Sequence, residues 1–221
     1  MIKLKIMTDK IFPKIHQEGY KFLAIAILAT IVLYFISHFL GLISFVLTIW
    51  VYYFFRDPER ISINDENYLV SPADGLVLDV SEKNGPIELG LEKKNFKKIS
   101  IFMNVFDCHV NRSPCVGKIS EIFYKPGKFI NASLDKSSED NERNYYKIIN
   151  KQGEEIIVVQ IAGLIARRIV CEASKDQELN QGSRIGMIRF GSRVDLYFEN
   201  YIPLVKVNQK TIAGETLLAK K

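Results

Sequence analysis

The stretch GMIRFGSRVDLYFENY, residues 186–201, decides the fold class. Two short stretches rich in aromatic and branched apolar residues, 186–190 and 195–201, lie on either side of Gly191-Ser192, and short stretches of this kind between turn residues read as strands. Moving outward, the same pattern recurs. Residues 68–70 meet the turn Ser71-Pro72-Ala73-Asp74-Gly75, and 76–80 follow it; Pro and Asp-Gly supply the backbone angles that a tight turn needs. Further strands are expected at 98–104, 117–124, 145–150, 155–162, 168–171 and 217–219, separated in part by Lys125-Pro126-Gly127, Lys151-Gln152-Gly153 and Ala213-Gly214-Glu215. Regularly spaced short strands imply a mainly β protein with a compact β sandwich or barrel-like domain. Residues 131–144, rich in Ser, Asp and Glu, read as a polar and mobile loop.

The N-terminal part obeys a different pattern. From Phe22 to Phe55 the chain runs FLAIAILATIVLYFISHFLGLISFVLTIWVYYFF, with no Asp, Glu, Lys or Arg. A run so long and apolar reads as membrane-embedded, whereas a signal peptide would have a shorter apolar core and a small-residue cleavage site. One straight helix of this length would reach about 51 Å, against a hydrocarbon core of about 30 Å. Ser37, His38 and Gly41 are break signals. Two helices, near 22–37 and 42–55, would form a hairpin that dips into or just crosses a bilayer; a single tilted span is the alternative. Lys3, Lys5, Lys10, Lys14 and Lys21 precede the run, and Arg56 and Arg60 follow it. Basic flanks on both sides suit a hairpin with both ends in the cytoplasm. The organisation expected is a basic N-terminus with a hydrophobic helical anchor, 1–60, and a β-rich domain, 61–221.

The formal net charge of +5 lies partly in the N-terminal flank, where it suits an anionic lipid surface. No nucleic-acid motif is present, and acids are interspersed through the rest, so nucleic acid is not an expected partner. Cys108, Cys115 and Cys171 form no CxxC pair and are odd in number, which argues for a reducing compartment and against a disulfide framework or zinc site. Of the three histidines, His16 precedes the apolar run and His38 lies within it, leaving His109 alone in the β-rich part. That inventory excludes most hydrolytic zinc centres, which need several nitrogen or sulfur ligands; no metal is expected. Gly-rich phosphate loops, HExxH and GxSxG are absent as well.

Three separated stretches then read together: Val70-Ser71-Pro72-Ala73-Asp74-Gly75, Phe106-Asp107-Cys108-His109-Val110-Asn111-Arg112-Ser113-Pro114, and Met187-Ile188-Arg189-Phe190-Gly191-Ser192-Arg193-Val194-Asp195. Each alone is an ordinary turn or strand end. Their order and spacing behind an apolar segment, with Phe55-Arg56-Asp57-Pro58 before and Ala213-Gly214-Glu215-Thr216-Leu217 after, resemble the phosphatidylserine decarboxylase proenzymes in their short bacterial and archaeal form.

The resemblance implies a self-processing lyase. Ser192 would attack the carbonyl of Gly191 to give an ester, and β-elimination would then break the chain. The resulting dehydroalanine would hydrolyse, losing ammonia, to a pyruvoyl group on residue 192. The products would be a β chain, 1–191, and an α chain, 192–221. The pyruvoyl ketone would form a Schiff base with the amine of phosphatidylserine and yield phosphatidylethanolamine and CO2. Glycine at 191 suits the tight backbone such an attack needs. A serine hydroxyl needs a base, and His109 oriented by Asp74 is the pair implied, by the logic of a nucleophile, base and orienting acid. Longer family members carry a second histidine where this chain has Arg112, which cannot accept a proton. His109 therefore serves cleavage, decarboxylation, or both in turn; both is the reading adopted. Arg112, Arg167 and Arg168 are candidates to hold the substrate phosphate or carboxylate. Adjacent strand residues point to opposite faces, so Cys108 is not paired with His109 as a nucleophile. The expected location is the cell membrane, with membrane lipids as partners and the catalytic part on the cytoplasmic face; a homo-oligomer is compatible with the sequence. The competing reading from another class is a non-enzymatic, membrane-anchored β-barrel adaptor or carrier, in which Gly191-Ser192 is an ordinary turn.

Overall fold

A computed structural model describes residues 12–132, 139–164, 168–190 and 192–221. Gly191 and Arg167 lie outside the described residues, as do 133–138 of the expected polar loop. The chain separates into two compact units, one ending at Glu59 and one beginning at Arg60.

In the first unit, α1 (Gly19–Ile36) and α2 (His38–Phe54) are both apolar almost throughout. Ser37 alone breaks them, with an extended backbone at φ −158° and ψ 128°. The helices fold back on one another as a hairpin. Thr30 Oγ1 lies 2.9 Å from both Ser44 Oγ and Thr48 Oγ1 on the opposite helix. At the open end, Phe22 stacks on Phe55 with centroids 5.1 Å apart. Gly41, expected to help break the run, sits inside α2 instead. A Cβ there would lie 2.7 Å from Tyr34 Cα, so glycine serves the close approach of two helices rather than a bend. Most large apolar side chains of both helices face outward, among them Phe35, Ile36, Phe39 and Leu42. By length and composition, α1 is sufficient to cross a membrane.

The second unit is mainly β, as the alternation predicts. Its strands are β1 (Tyr68–Val70), β2 (Gly75–Asn84), β3 (Asn95–Met103), β4 (Val110–Arg112), β5 (Gly117–Lys125), β6 (Arg143–Asn150) and β7 (Glu155–Ala162). They continue with β8 (Arg168–Cys171), β9 (Glu178–Leu179), β10 (Arg184–Arg189), β11 (Ser192–Phe198), β12 (Ile202–Pro203), β13 (Lys210–Thr211) and β14 (Leu217–Lys220). Eight form one curled sheet in the order β13-β2-β3-β11-β7-β6-β5-β9, and β1-β14-β12 and β4-β10-β8 form two smaller sheets. All the pairings between these strands are antiparallel.

Alternation sorts the faces. Ile99, Ile101, Met103, Ile156, Val158, Val194, Leu196 and Phe198 point into the main core with Leu69, Ile185, Ile188 and Leu218 from the smaller sheets. Each such side chain contributes about 1.5–3 kcal/mol through loss of water contact. The opposite face carries a second cluster, with Phe96, Tyr145, Ile157, Val159 and Ile161. Several strand ends differ from the sequence reading by one to four residues, among them β3 (Asn95–Met103) and β6 (Arg143–Asn150). The strand expected at 195–201 begins at Ser192 and ends at Phe198, because β3 and β7 flank it and both reach the level of residue 192.

Candidate active site

One row across the large sheet organises the site. Ser192 pairs with Met103 on one side and Ala162 on the other. Leu76 pairs with Phe102 and Thr211 with Gly75, so Gly75 and Thr211 continue the row beyond Met103. Gly75 has φ +153° and its Cα lies against the carbonyl oxygen of Phe102, where a Cβ would clash; only glycine permits this approach. Asp74 immediately precedes Gly75. Two inter-strand spacings separate its backbone from that of Ser192, about 10 Å.

Ser192 lies on the core face with Val194 and Leu196. It is fully buried, and its Oγ has no hydrogen-bond partner among the described residues. A buried hydroxyl left unpaired normally costs about 1–3 kcal/mol, which natural folds accept where the group has work to do. The residue two before it adds strain. Phe190 has φ +63°, a left-handed conformation that is an outlier for a bulky side chain and costs about 1–3 kcal/mol. Here the chain leaves β10 of a small sheet and enters β11 of the large one.

His109 faces the same region. Its carbonyl accepts from Ile188 N at 3.3 Å, extending the β4–β10 ladder, so alternation puts His109 and Asn111 on one side. Asn111 Nδ2 is 3.5 Å from Met103 Sδ, and Met103 is the cross-strand neighbour of Ser192. The imidazole is fully buried. Its Nδ1 is 3.0 Å from the Asp107 carbonyl oxygen; a carbonyl only accepts, so Nδ1 carries the hydrogen and Nε2 the lone pair. That is the tautomer a general base requires.

A relay of amides, none foreseen from the sequence, fixes Asn111. Asn144 Nδ2 donates to Gln160 Oε1 at 3.2 Å, and Gln160 Nε2 donates to Asn111 Oδ1 at 2.8 Å. Among the described residues Asn111 Nδ2 then faces acceptors, Pro72 O and Met103 Sδ, which sets the polarity of the relay at that end. The sequence signal was Gln160, polar amid the apolar residues of β7 that follow Glu155. Gln160→Leu is expected to leave two buried amides unpaired and to destabilise the fold by about 1–3 kcal/mol, measured by thermal unfolding against the parent protein.

Asp74 is held firmly. Its Oδ2 accepts from Arg60 at 2.8 Å and its Oδ1 from Ala213 N at 2.7 Å. Arg112 is buried and donates to the Gly182 carbonyl at 2.9 Å. Its Cδ runs beside Gly214, one residue from the Ala213 amide that binds Asp74. By alternation Arg112 points away from the side that His109 and Asn111 share. Arg168 is exposed and pairs across β8–β10 with Arg189, a residue the sequence reading did not single out. The arginine candidates are thus separated, with Arg112 inside and Arg168 at the surface. Of the cysteines, Cys115 is buried and its thiol is pushed up to about 12 by burial, which makes it inert as a nucleophile.

On the far face of β11, Arg193 and Asp195 form a fork, with Nε to Oδ1 at 2.6 Å and Nη2 to Oδ2 at 2.9 Å. Arg193 also donates to Ser100 Oγ at 3.0 Å. Both side chains are almost wholly buried. The fork locks the strand that begins at Ser192. Removing the acid takes the counter-charge from a buried guanidinium, so Asp195→Ala is expected to cost about 3–5 kcal/mol of stability, read as a large fall in the unfolding midpoint.

A buried hydroxyl at the head of a central strand, with an imidazole on its side of the core, marks a nucleophile-and-base centre. The family model described as phosphatidylserine decarboxylase matches residues 47–219, and the chain belongs to that family. A phosphatidylserine decarboxylase proenzyme of Pelagibacter ubique (strain HTCC1062) is 81% identical over 215 residues, covering 97% of this chain and 100% of that protein. The proenzyme of Ruegeria pomeroyi is 51% identical over 214 residues, 96% of this chain and 98% of its own. That of Cereibacter sphaeroides is 50% identical, over 96% of this chain and 92% of its own.

Proposed function

We propose that this chain is a phosphatidylserine decarboxylase precursor that cuts itself between Gly191 and Ser192 and then converts phosphatidylserine to phosphatidylethanolamine and CO2. The observation that carries the reading is the Ser192 hydroxyl, fully buried and without a hydrogen-bond partner among the described residues, in the family's own motif. In the precursor, His109 Nε2 takes the hydroxyl proton as Oγ attacks the Gly191 carbonyl. Strain at Phe190 favours the cut chain over the intact one. The Asp107 carbonyl holds the imidazole at Nδ1, and Asp74, its own oxygens held by Arg60 and the Ala213 amide, is the carboxylate assigned to the centre.

Residue 192 fits as the source of a pyruvoyl group, because β11 stays paired on both edges once the chain is cut. Seven residues, Ser192 to Phe198, hydrogen-bond along β3, and six of them along β7, so the 1–191 and 192–221 chains remain one folded unit. When formed, that group supplies an electron sink for the bond to the departing carboxylate. His109 then delivers a proton to the substrate α-carbon after CO2 leaves. Burial of the site excludes water from this step. The α1–α2 hairpin, apolar on its outer surface, embeds in a bilayer and keeps the enzyme beside its lipid substrate at the cytoplasmic face.

Mass spectrometry of the purified protein tests the reading. A C-terminal fragment should begin at residue 192 and be lighter than a serine terminus by the mass of the ammonia lost. An intact chain from a preparation active on phosphatidylserine would overturn the mechanism. The adaptor reading predicts an intact chain with no activity, and family membership gives it no support.

A further inference from the structure

The row through Ser192 has a second consequence, at the surface. The strands flanking Ser192 end at Met103 and Ala162, and each is followed within three residues by an exposed apolar side chain. Phe106, three residues past Met103, is 70% exposed; Leu164, two past Ala162, is 68% exposed. An extended chain advances at most about 3.6 Å per residue, which confines these residues to within roughly 11 Å and 7 Å of the strand ends beside Ser192. Ile212, which follows Thr211 at the far end of the same row, is a third, 41% exposed. A single exposed apolar side chain is ordinary, but three of them at the one sheet end that holds the buried nucleophile make a group of the kind that marks a contact surface.

Cations accompany them. Arg168 is exposed across from Arg189, next to the loop that carries Leu164, and Lys210 is exposed beside Ile212. Acids lie there too: Asp107 Oδ2 accepts from Asn104 N at 2.9 Å, Glu215 Oε1 from Ile61 N at 3.4 Å and Glu142 Oε1 from Ile169 N at 3.1 Å. Apolar side chains interleaved with arginine and lysine are the composition of a surface that inserts shallowly among anionic lipid head groups.

We propose that the sheet end bearing Phe106, Leu164 and Ile212, with Arg168 and Lys210, docks onto an anionic bilayer and delivers the lipid head group to residue 192 without full extraction of the lipid. This rests on the decarboxylase reading for its substrate but not for its binding surface. It is a contact additional to the α1–α2 hairpin. The hairpin holds the protein at the membrane, whereas the rim sets which end of the domain faces it.

The test uses the full, matured chain. Trp50 is the single tryptophan, so a Trp50→Phe, Phe106→Trp variant reports from the rim alone. With vesicles of phosphatidylserine and brominated phosphatidylcholine, its emission should shift to the blue and be quenched. Unchanged emission from protein that floats with the vesicles overturns the proposal, as does a shift that follows protein concentration without lipid, which would mean a second copy covers the rim. In parallel, Phe106→Ser with Leu164→Ser should lower kcat/KM on vesicle substrate by about tenfold or more. Turnover of a short-chain, monomeric phosphatidylserine should stay at the parent value. An equal loss on both substrates, or on neither, sinks the rim. A parent enzyme inactive on both would instead refute the decarboxylase reading, while the fluorescence result would still stand.

Discussion

Ser192→Ala is expected to persist as one 25.4 kDa chain, with no C-terminal fragment and no decarboxylation. The alanine chain has neither the oxygen that attacks the Gly191 carbonyl nor the atoms from which the carbonyl cofactor is made. The variant should also fold well. The Ser192 hydroxyl is buried without a hydrogen-bond partner among the described residues, so replacing it with hydrogen removes an unmet polar group and should leave stability equal or slightly higher. Gel analysis and thermal unfolding of the same sample separate the two effects. An uncut, well-folded chain with no activity is the expected pair of results. Residual decarboxylation from an uncut chain would remove the pyruvoyl proposal altogether.

His109→Gln carries the second largest effect. Glutamine keeps the length and can still donate to the Asp107 carbonyl, the contact that fixes Nδ1 at 3.0 Å, but it offers no nitrogen lone pair. General-base assistance is worth roughly 10²–10⁴ in rate, so self-cleavage should slow by that order and full-length precursor should accumulate. The chain has no evident substitute. Arg112, where longer relatives have their second histidine, cannot accept a proton, and its guanidinium is engaged with the Gly182 carbonyl on the opposite side of β4. Pulse-chase of the precursor measures the first step, and turnover of any processed protein measures the second. Cleavage at the parent rate with decarboxylation abolished would confine His109 to proton delivery at the substrate. Parent rates in both would exclude it from the site.

Arg112 shows how a motif can stay legible while its chemistry shifts. Side by side with the family pattern, the sequence marks Arg112 as a replaced base and offers it as a phosphate ligand. In the fold it is a buried strut under the turn at Gly214, near the Asp74–Arg60 pair. Arg189 was not singled out, because nothing in a run such as Met187-Ile188-Arg189-Phe190 distinguishes a solvated strand end from a cation beside a site.

What the sequence determined by itself was the local and the periodic. Alternation of apolar residues and Pro or Gly turns marked most of the strands, and β7 and β8 have the bounds expected from it. The uncharged run between Phe22 and Phe55, with break signals at Ser37, His38 and Gly41, suggested two apolar helices, and the structure places the break at Ser37 alone. Three motifs read in order, around Asp74, around His109 and around Gly191-Ser192, carried the resemblance to the family. The short strands β4, β9, β12 and β13 escaped, since two or three residues carry no period and are strands only because a partner lies alongside. Tertiary structure alone decided register. Only pairing puts Ser192 level with Met103 and Ala162, brings Asn111 from one sheet against Gln160 of another, and gathers Phe106, Leu164 and Ile212 at one end. These residues are distant along the chain, and hydrogen bonds between strands form only where both edges meet in space. A single sequence records which face a side chain takes, but not which residue of another strand it will face.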